Sequence, residues 1–343
     1  MIDIGFYMRI AEFKKLLGQI HPIHKPDVPR WLDSQRSPTP VVFNIETTNA
    51  CSMSCFFCPR TTLMTRPVKT MSPDVFRNIA NQLTPHPAEL WREWVAFAER
   101  NYSVPQDEVS ENAFFLYVLP RVLVLHGYGD PLLDPHIPDY IKYLSQRDIP
   151  TYFSCNPANI NLGKTANAFE NGLTYIKYSI DSLVSSARGK DAFKRDYPQI
   201  MQVLNMKAKK NYQTRVIITM IDLGLDEYES LKEMFEGTDV YIYQKSPDQA
   251  WLTGKEKPKS IHWSEPCQFP WSSISINSSG LVIPCGEMYD PDVVLGDTRT
   301  QSLEEIWNGE EYAKLRRAHV FNTPGIRCTN GTCDMKVLGK FLV

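Results

Sequence analysis

Residues 41–58 read V-V-F-N-I-E-T-T-N-A-C-S-M-S-C-F-F-C. The first part, V-V-F-N-I-E-T-T (41–48), is a β-like run in which Asn44, Glu46 and Thr48 share one face and Phe43 and Ile45 take the other, because strand side chains alternate. The second part is a C-x3-C-x2-C run formed by Cys51, Cys55 and Cys58. Three thiolates this close in sequence make a tight loop around one metal centre, and soft sulfur ligands select zinc or iron–sulfur. A structural zinc site wants a closed set of four ligands. The local count stops at three, so a four-iron cubane with one open iron fits better.

Outward from that stretch, β-like runs alternate with helical ones. The runs are 41–48, 121–127, 150–155, 174–181, 214–220 and 239–245; the helical candidates are 72–83, 137–147, 164–171, 191–211 and 226–236. This alternation predicts an α/β fold with a parallel sheet. Such a sheet, covered on both sides, should be apolar throughout. Lys177, Ser179 and Asp181 nevertheless share a face in the fourth run, as Asn44 and Glu46 do in the first. One polar face suggests a barrel-like interior that is wet or ligand-filled, and Glu46, Lys177 and Asp181 become candidates for substrate contacts or a general base. Residues 85–120, with helical stretches at 87–100 and 108–118, exceed a simple connection and read as an insertion.

The chain start carries apolar residues at helical spacing (Ile10, Phe13, Leu16, Leu17, Ile20) and predicts a docking helix. Residues 21–40, rich in proline and charge, read as an extended lead-in. A net charge of -2, from 37 Lys+Arg against 39 Asp+Glu, argues against a nucleic-acid partner. No stretch reaches the ~18 apolar residues of a membrane span, and the start lacks signal-peptide features. The expected location is the cytoplasm, where thiols stay reduced, so the 8 cysteines call for metal rather than disulfides.

Four of those cysteines lie beyond the sixth run: Cys267, Cys285, Cys328 and Cys333. Cys267 and Cys285 flank a predicted β-hairpin with its turn at Asn277–Gly280, giving C-x12-G-x4-C. A helix follows, opened by Ser302 and Glu305 as a capping box. Four thiolates suffice for one iron–sulfur cluster or one zinc.

With both clusters in view, the chain resembles the radical S-adenosylmethionine (radical SAM) superfamily. C-x3-C-x2-C with an aromatic, Phe57, before the last cysteine is similar to that family's cluster motif. H-G-Y-G-D-P (126–131) after the second run resembles its Gly-Gly-Glu-type segment, with Gly127, Gly129 and Asp130 at the matching positions. Asn156 ends the third run where the family often has Thr-Asn-Gly, although Pro157 replaces the glycine. Y-S-I-D-S (178–182) is similar to the family's S-x-D segment, making Ser179 a candidate for the SAM ribose or carboxylate; Arg188 could pair with that carboxylate. The C-x12-G-x4-C spacing and the S-L-E-E-I-W-N helix resemble the auxiliary-cluster domain called SPASM. With only four cysteines the chain looks like the shortened version, twitch.

The resemblance implies a partial (β/α)6 barrel over 41–250, after an N-terminal 1–40, with a small auxiliary-cluster domain over 251–343 and the site at the C-terminal ends of the strands. It implies two 4Fe-4S clusters, one binding SAM through an open iron. An external electron donor such as flavodoxin or ferredoxin would reduce that cluster. SAM is then cleaved to a 5′-deoxyadenosyl radical that abstracts a substrate hydrogen. Three function classes follow. The first is dehydrogenation or epimerisation of a small molecule such as a sugar or aminocyclitol. The second is peptide maturation, disfavoured because only some forty residues precede the first strand. The third is a non-catalytic iron–sulfur or zinc protein. RNA modification lacks a basic stripe. Cys155, at the end of the third run, is a candidate hydrogen donor for epimerisation, or else an inert buried thiol.

Overall fold

The computed structural model describes residues 1–17, 28–55, 58–183, 191–221, 226–245, 267–321 and 323. Phe57, Arg188, Cys328 and Cys333 lie outside them. All six expected strands form: β1 (Val42–Ile45), β2 (Leu123–Val124), β3 (Thr151–Cys155), β4 (Tyr175–Ile180), β5 (Arg215–Ile221) and β6 (Val240–Lys245). Each pairs in parallel with its sequence neighbour. The C-terminal hairpin, β7 (Ile274–Ile276) and β8 (Leu281–Ile283), turns at Gly280, where φ of 81° suits glycine. It continues the same sheet: β7 pairs in parallel with β1, and β8 pairs antiparallel with both β7 and β9 (Gly296–Asp297), in the order β6-β5-β4-β3-β2-β1-β7-β8-β9.

The helices are α1 (Ile4–Leu17), α2 (Val28–Gln35), α3 (Pro73–Ala80), α4 (Ala88–Tyr102), α5 (Ile137–Ser145), α6 (Leu162–Glu170), α7 (Ala192–Lys210), α8 (Tyr228–Met234), α9 (Leu303–Trp307) and α10 (Glu310–Phe321). Ser72 caps α3 with Pro73 in its first turn, and Ser302 with Glu305 forms the capping box of α9. One expectation fails here: α2 replaces an extended lead-in. Pro29 falls in its first turn, where proline costs no hydrogen bond, and Leu32 is buried.

The sheet separates two apolar cores. On the outer face Phe153, Ile176, Tyr178, Ile180, Val216, Ile218 and Ile242 meet Phe76, Ile141, Leu144, Phe169, Ile200 and Val203 from the repeat helices. On the inner face Val124, Tyr152, Ile217, Tyr241 and Tyr243 meet residues from outside the repeat: Phe6, Tyr7 and Ile10 of α1, and Trp94, Phe97, Phe114, Leu116 and Tyr117 of the insertion. Full burial of one such side chain is worth about 1.5–3 kcal/mol, so both faces contribute to the fold. The insertion continues from α4 to a short helix (Glu111–Ala113) and a π-helical turn (Phe114–Val118), in which Leu119 N donates to Phe114 O at 3.0 Å. Trp94 Nε1 fixes it by donating to Leu116 O at 2.7 Å.

Strand one departs from simple alternation. A register shift between Val42 and Asn44 puts Val42 and Ile45 together in the outer core. Phe43 packs instead with the inner core, its ring 5.4 Å from that of Phe269. The expected pairing of Phe43 with Ile45 is thus broken by a bulge, which inserts one residue and resets the faces.

Candidate functional site

The loop carrying Cys51, Cys55 and Cys58 leaves the C-terminal end of β1. Arg60, which follows it on a one-turn helix, laces the loop together by donating to Asn49 O (3.0 Å), Met53 O (3.3 Å) and Cys51 O (2.9 Å). Cys58 N donates to Cys55 O at 3.1 Å. Burial, with the proximity of Cys55 adding to it and backbone hydrogen bonds opposing it, raises the Cys51 and Cys58 thiols above their ordinary range. Three crowded thiolates of this kind need a cation, which is the donor set an iron–sulfur cluster supplies for. Among the described residues no group of three His, Cys, Asp or Glu side chains stands as a preformed metal site, so the fit rests on donor type and crowding.

The neighbouring strand ends converge on this loop. Asp130 N donates to Ala50 O at 2.8 Å, next to Cys51. The Asp130 carboxylate accepts from Leu132 N (3.0 Å), Asn156 N (2.9 Å) and Asn159 Nδ2 (2.7 Å), tying the loop after β2 to the loop after β3. Asn156 caps its own turn by accepting from Ala158 N at 2.8 Å. Gly127 and Gly129 have no left-handed φ; what they provide is closeness. A Cβ on Gly129 would lie 2.1 Å from Thr48 O, and one on Gly127 would lie 2.5 Å from Glu46 Oε2. Both glycines press the motif loop against the end of β1. The structure therefore brings Gly127, Gly129, Asp130 and Asn156 together around Cys51.

Glu46 is the hub of this assembly. Its carboxylate takes a bidentate pair from Arg66 (2.6 and 2.7 Å), Tyr128 N at 3.0 Å and Ser278 N at 3.1 Å. These four bonds match the roughly four lone-pair sites of a carboxylate. Arg66 Nε also donates to Tyr289 O at 2.5 Å, and Asp290 accepts from Thr65 N, Thr65 Oγ1 and Arg66 N. The expectation of a general base at Glu46 meets a saturated carboxylate that joins three loops. Arg60, Arg66 and Asp290 were not legible as site residues, since none belongs to a spaced motif.

On the inner face, Ser154, Lys177 and Ser179 project together. Ser154 Oγ lies 3.4 Å from Ser179 Oγ, which accepts from Thr219 Oγ1 at 3.5 Å. Lys177 Nζ stands 5.3 Å from the ring centre of Phe114 and 5.7 Å from that of Tyr152. Asp181 follows outward-facing Ile180 and is buried. His126 joins the group: Ser154 N donates to its Nδ1 at 3.2 Å, and burial together with Lys177 lowers its pKa to about 3. Cys155 is elsewhere. It pairs in register with Tyr178 and lies in the outer core, 6% exposed, on the side opposite Lys177. Alternation along β3 thus sets Cys155 apart from the inner-face polar group.

Of the C-terminal cysteines, Cys285 follows β8 and is buried in the inner core, with Cys267 packed against it. Gly286 passes over β1, its Cβ position 3.5 Å from Asn44 Oδ1, and Tyr128 OH donates to Glu287 O at 2.8 Å. The two cysteine-bearing loops thus share supports. Among the described residues no helix is long and apolar enough to cross a membrane.

Comparison with known proteins matches this architecture. The Radical SAM superfamily model covers residues 45–236, and the SPASM iron–sulfur cluster-binding domain model covers 267–334. No curated protein matches the chain. Similar solved structures include BtrN in complex with AdoMet and 2-DOIA, at 15% identity and TM-score 0.51 over 84% of this chain and 90% of that one. Another is anSMEcpe with bound AdoMet, at 12% identity and TM-score 0.48 over 82% and 81%. SuiB of Streptococcus suis bound to precursor peptide SuiA gives 12% identity and TM-score 0.45 over 96% and 83%. The BtrN likeness bears on the fold, a partial (β/α)6 barrel with a SPASM/twitch-type extension. The chain belongs to the radical SAM superfamily, with a SAM-binding 4Fe-4S cluster and an auxiliary iron–sulfur cluster as its cofactors.

Proposed function

We propose that this chain is a radical SAM oxidoreductase that dehydrogenates a polar small molecule, of sugar or aminocyclitol type, bound on the inner face of the sheet. When bound, the SAM-ligating cluster supplies the 5′-deoxyadenosyl radical, and the auxiliary cluster supplies an acceptor for the electron that dehydrogenation leaves. An external one-electron donor of flavodoxin or ferredoxin type completes the set.

In this reading Cys51, Cys55 and Cys58 hold the first cluster, and Cys267, Cys285, Cys328 and Cys333 hold the second. Asp130, Asn156 and Ser179 orient SAM, and Gly127 and Gly129 let its loop close on β1. The family resemblance assigns SAM contacts to Phe57 and Arg188 as well, which lie outside the described residues. Glu46, saturated by Arg66, is a positioning residue. A substrate C–H bond breaks to give 5′-deoxyadenosine and a carbon radical. That radical loses one proton and one electron to become a carbonyl or imine. Asp181, one residue past Ile180 and buried, is the carboxylate this reading assigns to take the proton.

The observation that carries dehydrogenation over epimerisation is the position of Cys155 in the outer core. A thiol beside the substrate is the usual means of returning a hydrogen atom to carbon, and among the described inner-face residues the only thiols are those assigned to clusters. The test is anaerobic incubation of the reconstituted enzyme with SAM, reductant and a library of polyhydroxylated amines and acids. The expected product is two mass units lighter than its parent, formed equally by the wild type and Cys155→Ala. An isomer of unchanged mass that carries solvent deuterium on carbon, lost in Cys155→Ala, would overturn the reading.

A further inference from the structure

The loop that carries Cys51, Cys55 and Cys58 is closed at its base by its own chain. Thr48 pairs with Thr70 in an antiparallel bridge, and Asn49 donates to Pro67 O at 2.9 Å and accepts from Lys69 N at 2.5 Å. Arg60 holds the near half of the loop from within. The far half, at Thr65 and Arg66, is held from another part of the chain. Asp290 accepts from Thr65 N (2.6 Å), Thr65 Oγ1 (2.8 Å) and Arg66 N (2.9 Å), and Tyr289 O accepts from Arg66 Nε (2.5 Å). Bonds to a carboxylate are charge-assisted and roughly twice as strong as neutral ones, so this is the stronger of the two grips.

The residues that supply it follow Cys285 directly, in the run C-G-E-M-Y-D (285–290). The run is folded on itself: Met288 N donates to Cys285 O at 3.2 Å and Tyr289 N to Glu287 O at 3.1 Å. Met288 is 2% exposed, which pins the middle of the run. Glu287 O accepts from Tyr128 OH at 2.8 Å, and the Tyr128 and Tyr289 rings meet edge-on at 6.2 Å. The run therefore starts at a cysteine of the auxiliary set, touches the H-G-Y-G-D-P loop at its middle and clamps the C-x3-C-x2-C loop at its end. A short segment with internal turns and a buried centre passes a displacement along instead of absorbing it.

We propose that Cys285–Asp290 is a strap coupling the two cofactor sites, with Asp290 as a positioning residue for the loop of the SAM-ligating cluster. Filling of the auxiliary site fixes Cys285, and through Asp290 it fixes Thr65 and Arg66. This goes beyond the dehydrogenation reading and rests only on the assignment of Cys285 to the auxiliary set and of Cys51, Cys55 and Cys58 to the first. Coupling between two binding sites is reciprocal, so SAM bound at the first loop must also quieten the strap.

The test is hydrogen exchange on anaerobically purified holoenzyme, read by mass over residues 51–66 and 281–288. In the wild type, SAM should slow exchange at 281–288 about fivefold. Asp290→Ala should abolish that response and speed exchange at 51–66 about tenfold, with iron still about eight per chain. Thr65→Val, which removes one of the three donors, should shift both regions the same way by about threefold. Cys285→Ser, reduced to about four irons, should speed exchange at 51–66 as Asp290→Ala does, and the double variant should add less than about twofold to either. Arg299→Met, which breaks an exposed pair with Asp297 beside the same hairpin, should change neither region. A wild-type strap indifferent to SAM, or residues 51–66 unmoved in Asp290→Ala, would overturn the coupling. So would full additivity in the double variant, which is what two independent local supports would give. About eight irons in Cys285→Ser would overturn the cysteine assignment and the strap together, whereas about four irons with 51–66 unmoved would overturn the strap alone.

Discussion

The two faces of the sheet are built from the same strands and closed by different means. The outer face is covered by the helices of the βα repeat, with Ile176 and Phe153 fully buried among them. Among the described residues the inner face is closed by α1, the insertion, and Leu32, Phe269 and Trp271, while Lys177, Ser154 and Ser179 are only partly buried. Alternation along β4 makes the contrast sharp, since Ile176 and Lys177 are adjacent in sequence and opposite in environment. The outer face is what any chain of this topology needs in order to fold. The inner closure comes from segments outside the repeat, which is where a substrate would be chosen.

The largest expected effect lies at the rim both faces share. Replacing Cys51, Cys55 and Cys58 with alanine should take iron from about eight to about four per chain and 5′-deoxyadenosine formation below detection. Retention of about eight irons would detach these residues from the first cluster. Next is the Glu46–Arg66 pair, 3% and 11% exposed at their side chains. Breaking a buried pair leaves an uncompensated charge and costs about 3–5 kcal/mol, so Arg66→Met should lower unfolding free energy by that much in denaturant titration. A change below about 1 kcal/mol would mean that the pair is effectively solvated.

Adjacent residues on β4 test the comparison itself. Ile176→Ala should cost about 2–5 kcal/mol of stability and leave 5′-deoxyadenosine formation per folded enzyme unchanged. Lys177→Met should do the reverse, with a stability change under about 1 kcal/mol and substrate turnover lost. If the two variants behave alike, the division between faces fails.

Acid provides the smallest and most selective probe. Among the described residues three histidines are depressed: His126 to about 3; His86, against Pro120 O, to about 4; and His319, next to Val320 in α10, to about 4. Burial is the leading cause at each. Each is neutral when folded and protonates near pH 6.5 when unfolded. Their stabilisation is therefore complete above about pH 6.5 and falls as pH drops toward 4, by up to about 1.4 kcal/mol per pH unit per histidine. Hydrogen exchange at pH 5 should show α1 and the insertion losing protection before β4 and β5, and His86→Gln should lessen the slope by one proton. Simultaneous loss across both faces would show a single cooperative unit.

Much of this was legible in sequence, because periodicity and caps are local signals. The six strands, the hairpin turn at Gly280 and the Ser302 capping box all follow from residues a few positions apart. What was not legible depended on partners far away. Phe43 changes side through a bulge that appears only in pairing with β7. Cys155 is placed by its register with Tyr178, although alternation from Ser154 already carried the hint. The partners of Glu46 were hidden because Arg66, Tyr128 and Ser278 come from three separate loops. The insertion was visible as extra length, but nothing local placed its aromatic residues under the barrel.

The pairing of β1 with β7 also sets a timetable. Ile274, the partner of Val42, is synthesised 232 residues after it. At roughly 5–20 residues per second, that is a delay of roughly 10–50 s. Tyr289 and Asp290, which clamp Thr65 and Arg66, emerge later still. Throughout that interval the three sulfurs of the first loop are on the nascent chain without their final clamp, reactive toward any oxidant they meet.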